Sequence, residues 1–161
     1  MPRNTTGYEE DFYAWTVEQA KLLRSGKFSK IDALNVAEEI ESVGRRDRRD
    51  LIDRLENLIV ELLKWRSEPG ARCGNWRSAI LRQRFEIEQI VDDSPSLREF
   101  TIERLGEAYS DARQRVVEEL GLLQPDFPAD CPFTPDQILA LDFLPEDSDR
   151  RAAGAARWAR S

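Results

Sequence analysis

The stretch RRDRRDLIDRLENLIVELLKWR, Arg45–Arg66, decides the fold of this chain. Leu51, Leu55, Leu58, Ile59, Leu62 and Leu63 recur at intervals of three and four, which gathers them on one wide face of an α-helix. Pro69-Gly70 ends that helix. Upstream, Asp32 reads as the N-cap of a helix to about Val43, with Gly44 as its stop or as a kink. Before it, a helix from about Glu9 to Arg24 carries Phe12, Trp15, Ala20, Leu22 and Leu23 and stops at Ser25-Gly26. Downstream, Asn75 caps a helix reaching about Asp92. Ser94-Pro95 then gives an N-cap and a proline at the first helical position. That helix runs to about Leu120, with Ile102, Leu105, Tyr109, Ala112, Val116 and Leu120 at helical spacing, and Gly121 terminates it. The three prolines of QPDFPADCPF force irregular chain. Thr134-Pro135 starts a short helix containing Ile138, Leu139 and Leu141. The expected fold is all-α: a bundle of four main helices plus a short C-terminal helix. One domain over residues 1–146 is expected, with a loosely held tail at 147–161. The helices with the widest apolar faces, Arg45–Arg66 and Ser94–Leu120, should form the centre.

Composition narrows the function. Apolar residues make up 40% and charged residues 34% of 161, the balance of a globular domain with one sizeable core. No apolar run approaches the roughly 20 residues that span a bilayer. MPRNTTGYEEDFY has no apolar signal region, so the cytoplasm is the expected location and no membrane partner is expected. Histidine is absent. That excludes Ser-His and Cys-His catalysis and the usual zinc hydrolase sites. Cys73 and Cys131 are too far apart for a Cys-x-x-Cys site, and Cys131 reads as a packed thiol. The net charge of −7 is unevenly spread: −3 over residues 1–43, +5 over 44–84 and −9 over 85–161. Intramolecular pairing between the acidic ends and the basic middle is the simplest consequence.

Some charges fall beside faces that should be dry. Arg77, Ile80, Arg84 and Ile87 are related by steps of three and four and share a helix face. A guanidinium on such a face keeps five donors to satisfy. Glu38 and Glu41 flank the Ala33-Val36-Ala37-Ile40 stripe, while Glu39 points to water. The economical expectation is that Glu38 and Glu41 meet Arg77 or Arg84 across the bundle as a structural brace. The alternative is a metal site. Glu38-x-x-Glu41 and Asp53-x-x-Glu56 resemble the paired acids of all-helical nucleotide pyrophosphatases, which implies a Mg²⁺-dependent phosphohydrolase. Asp53, however, falls opposite the leucine face. A third reading takes Arg45, Arg46, Arg49, Arg72 and Arg82 as a phosphate-gripping nucleic-acid face. Interleaved Asp47, Asp50 and Asp53 supply local partners and argue against it. Among the aromatic residues, Phe12, Trp15, Trp65, Trp76 and Tyr109 sit at helical spacing and read as core. Trp158 in the tail could anchor that tail.

Several separated motifs carry a resemblance. Tyr8-Glu9-x-Asp11-Phe12-x-x-Trp15, Ala37-Glu38-Glu39-Ile40-Glu41-Ser42-x-Gly44, Leu62-Leu63-Lys64-Trp65 and Trp76-Arg77-x-x-Ile80 are similar to those of a bacterial family of uncharacterised helical proteins. Phe127-Pro128-x-x-Cys131-Pro132 and Phe143-Leu144-Pro145-Glu146 resemble the end of the same family. It is domain-of-unknown-function family twenty-nine, of cyanobacteria and proteobacteria. The resemblance covers roughly residues 8–146 and implies an all-helical fold. It brings no activity, cofactor or catalytic residue. The expected role is therefore non-catalytic: a helical protein-interaction module, self-association included, with no cofactor and no nucleic-acid partner.

Overall fold

The computed structural model describes residues 7–121 and 127–145. Among these, every regular element is helical. In chain order they are α1 (Phe12–Arg24), a 3₁₀ turn at Phe28–Lys30, α2 (Ala33–Ser67), a 3₁₀ turn at Pro69–Ala71, α3 (Gly74–Asp93), α4 (Leu97–Leu120) and α5 (Pro135–Leu139). Four long helices and one short one make up the all-α fold expected from periodicity. The tail 147–161, with Trp158, lies outside the described residues. The chain gathers into two compact units, with the boundary between Asp47 and Arg48, inside α2.

Gly44 neither stops nor divides its helix. α2 runs through it for 35 residues. One glycine costs about 1 kcal/mol against alanine, which long flanking helices absorb. Two further boundaries differ from expectation. Cys73, not Asn75, precedes the first residue of α3, and Ser96, not Ser94, precedes α4. Ser94-Pro95 instead forms a turn, with Leu97 N–H donating to Ser94 O and Arg98 N–H to Pro95 O. Pro95 therefore sits in this turn, two residues before the first residue of α4, rather than at the first helical position.

The first unit is a small helix–turn–helix. The Asp11 side chain accepts from Ala14 N–H (2.9 Å) and caps α1. At its other end Gly26 takes φ +68°, with Gly26 N–H donating to Leu23 O and Lys27 N–H to Leu22 O. This is the Schellman closure, and its left-handed residue is a glycine for steric reasons. Asp32 precedes α2 as expected of its cap: its side chain accepts from Asn35 N–H (3.5 Å), and also from Asn35 Nδ2 (2.8 Å) and Trp15 Nε1 (3.3 Å). The Asp32 N–H donates to Gln19 Oε1 at 2.8 Å. Only Trp15 and Gln19 are fully buried on α1. Phe12 and Leu23, expected in a core, are about half exposed.

The second unit holds the core. Leu51, Leu55, Leu58, Ile59, Leu62 and Leu63 are wholly inaccessible, as the spacing requires. They join Ile80, Ile87 and Val91 of α3, Ala108, Tyr109, Ala112 and Val116 of α4, and Phe127, Phe133 and Ile138 in one cluster. Gly121 at φ +63° ends α4. Thr134 and Gln137 form a reciprocal capping box on α5, over Pro135. Ile102, expected on the apolar face of α4, is instead 50% exposed. Its wheel position borders the face rather than centring it.

This contrast is measurable. Leu58→Ala should cost about 2–5 kcal/mol in chemical denaturation, by lost burial plus the cavity it leaves. Ile102→Ala on the neighbouring helix should cost less than about 1 kcal/mol.

Candidate functional site

In the second unit, the face shared by Arg77, Ile80, Arg84 and Ile87 is realised from Ile80 onward. Ile80, Arg84 and Ile87 are buried, and Arg77, nearer the start of α3, is exposed. Arg84 is the largest charged group in the core, with 2% of its surface accessible. Its partners are not the carboxylates expected. Nε donates to Ile138 O at 2.7 Å and Nη2 to Gln137 O at 3.3 Å. Both carbonyls lie in the last turn of α5, where a helix leaves its C=O groups without internal donors. A cation there is also favoured by the helix dipole. Burial lowers the Arg84 pKa to about 10, partly opposed by Asp142, so the group still carries its charge at neutral pH. Nη1 is buried without a partner.

Arg84 also lines a cavity of about 140 Å³ with Ile87, Glu88, Val91, Arg98, Thr101 and Leu139. The Thr101 hydroxyl donates to Leu97 O (2.8 Å), which leaves its oxygen free to accept. Glu88 and Arg98 are exposed and give the cavity its wet side. Sequence reasoning selected Arg84 but missed Glu88, Arg98 and Thr101. The spacing Arg84-x-x-x-Glu88 reads as a local i,i+4 pair, and nothing in it signals a cavity shared with α4.

The basic middle of the sequence is largely neutralised by packing within this unit. Arg54 pairs with Asp50 (3.1 Å) and with Glu86 of α3 (2.6 Å). Lys64 reaches Glu61 (3.3 Å) and Glu119 of α4 (3.6 Å), and lies 5.2 Å from the Trp76 ring. Arg115 donates to Asn57 Oδ1 at 3.0 Å, with Glu56 at 3.9 Å. Burial raises the Glu56 pKa, and the negative charges of Asp111 and Asp53 add to this. Arg48 stacks over Phe100 at 4.2 Å. Arg72 donates to Trp65 O at 2.8 Å and lies over the Trp65 ring. Arg49 and Arg82 are exposed.

In the first unit, Glu38 and Glu41 both hold Arg45 of their own helix, at 2.6 and 3.5 Å, and all three are exposed. A partner one or two turns along the same helix costs little ordering. Glu39, expected in water, is half-buried and accepts from the Tyr8 hydroxyl, a bond that raises the Tyr8 pKa. Tyr8 packs edge-on against Phe12 and Trp15. Arg46 is exposed. Among the described residues, no group of three or more acidic or cysteine side chains is disposed to hold a metal ion. Asp53 is exposed and Glu56 half-buried. Of the five arginines read as a nucleic-acid face, Arg45 and Arg72 are engaged as described.

Cys73 is exposed and Cys131 half-buried, both as free thiols. Burial raises the Cys131 pKa, which suits the packed role expected for it. No helix among the described residues is long and apolar enough to cross a membrane.

The family model described as "Domain of unknown function DUF29" matches residues 7–144. No curated protein and no solved structure gives a match.

Tyr109 gives this unit a titratable lock. It is 1% exposed, and its hydroxyl donates to Pro128 O at 2.7 Å. Burial pushes its pKa up to about 12, from 10 in the unfolded chain, with Cys131 the next contributor. A raised folded pKa stabilises fully below the unfolded value and is lost as pH climbs through the folded one. The stability difference between wild type and Tyr109→Phe should therefore be constant up to about pH 10 and shrink between there and about pH 12. At neutral pH the variant should lose about 1–2 kcal/mol in urea denaturation.

Proposed function

The chain belongs to the DUF29 family, a domain of unknown function, and we propose that it is a non-catalytic protein-interaction module that pairs with a second copy of itself. The observation that carries this reading is the uncovered face on the first half of α2. Ile40 is 67% and Val43 56% exposed, on one side of the helix. Unpaired apolar residues repeated along one helix favour burial against another surface. Full burial of a side chain of this size contributes about 1.5–3 kcal/mol.

The face is its own complement. An antiparallel pair of such helices, related by a two-fold axis near Val43, sets Ile40 and Val43 of each copy against the other, while Glu41 and Arg45 point away from the axis. That surface is self-complementary, as a two-fold interface demands. Gly44 offers no side chain and has open space around its Cα, so two backbones can approach closely there. The Glu38 and Glu41 contacts with Arg45 stay within each copy, so the apolar contact supplies the driving force.

Sedimentation of the full chain should show a monomer–dimer equilibrium that persists at about 0.5 M salt, where surface charge pairs are screened. Ile40→Glu should abolish the dimer without lowering helicity. Glu41→Arg, on the side of α2 away from the axis, should leave the dimer intact. A chain that stays monomeric at high concentration would sink the proposal.

A further inference from the structure

We infer that the cavity between α3, α4 and α5 is a binding site for a small monocarboxylate carried on an apolar body. The inference starts from Arg84, which is 2% exposed yet has a buried Nη1 without a partner. Two of its three guanidinium nitrogens are tied to the α5 carbonyls, which fixes the plane of the group. Among the described residues no carboxylate lies within ion-pairing distance of it. A fixed, desolvated cation with one open donor is the half of a charge pair that a bound anion completes.

The remaining lining chooses the anion. Arg98 supplies a second cation at the same cavity, and Thr101 a hydroxyl oxygen. Ile87, Val91 and Leu139 form an apolar wall. A cavity near this volume of about 140 Å³ holds a guest of roughly six carbon atoms. Glu88 is the discriminating residue. Its carboxylate shares the lining, so a single negative charge is tolerated and a second is repelled. Phosphate and dicarboxylates are disfavoured on that ground. The site is independent of the pairing face on the first half of α2, since none of its residues lies there.

The experiment uses the full chain, with pentanoate as probe, pentanamide as its uncharged match and sodium chloride at equal ionic strength. Pentanoate at about ten times its Kd should raise the melting temperature by roughly 3–6 °C, with pentanamide and chloride inert. Calorimetric titration should give about a tenfold weaker Kd for Arg98→Gln. Glu88→Gln should bind pentanoate more tightly than wild type and admit inorganic phosphate. Both residues are exposed, so neither change threatens folding, whereas Arg84→Gln removes a bridge between α3 and α5 and is not a clean test. Equal responses to pentanoate and pentanamide would reduce the site to an apolar hole and overturn the inference. So would no response to either, or a Glu88→Gln variant that binds more weakly.

Discussion

One cation inside an apolar bundle constrains the second unit of this protein more than any other group. Arg84 lies among Ile80, Ile87, Tyr109 and Ile138, where an uncompensated charge is costly. The fold compensates it with backbone. α5 is a five-residue helix whose last carbonyls face the guanidinium at 2.7 and 3.3 Å. Each side solves the other's problem: the arginine gains acceptors, and a helix too short to be stable alone gains donors for its open end. The capping box at Thr134 and Gln137 secures the opposite end. The segment around α5 is thereby pinned to α3, and Tyr109 adds a second bond to this region through Pro128.

α2 carries two different chemistries on one uninterrupted helix. From Leu51 to Leu63 it presents a leucine face wholly enclosed by the core of the second unit. From Ala33 to Asp47 it presents alanines, Ile40, Val43 and Gly44 beside alternating blocks of acid and base, and most of these side chains stay exposed. The first half is not held by a large apolar core. It is held by a few directed contacts: Asp32 with Trp15 and Asn35, Gln19 with the Asp32 amide, and Tyr8 with Glu39. Such contacts fix geometry while contributing modestly to stability, since each exchanges with water.

The charge asymmetry of the chain finds its explanation in the same packing. The excess of arginine and lysine in the middle third is answered by Glu86, Glu119 and the aromatic rings of Trp65, Trp76 and Phe100. Cations shared between carboxylates and ring faces keep their hydrocarbon stems against apolar surface, so they extend the core outward.

The helices, their order and the leucine face were legible in the sequence, because periods of three and four and the Gly, Pro and Asp signals at helix ends are local properties. So was the family, through motifs spaced along nearly the whole chain. The wheel also picked out Arg84 as a charge on a buried face. It could not name the partner, because the acceptors are backbone carbonyls more than fifty residues away, and every residue type offers the same carbonyl. Glu38 and Glu41 close on Arg45, a choice set by side-chain reach along a continuous helix. Gly44 reads as a stop or a kink, yet α2 continues through it, because long helical flanks absorb the cost of one glycine. The sequence by itself determined where helices form and which faces are apolar, since those follow from nearest-neighbour stereochemistry. The tertiary structure alone decided which polar atoms meet and which cavity stays open, since those depend on distances between residues that the chain's order does not encode.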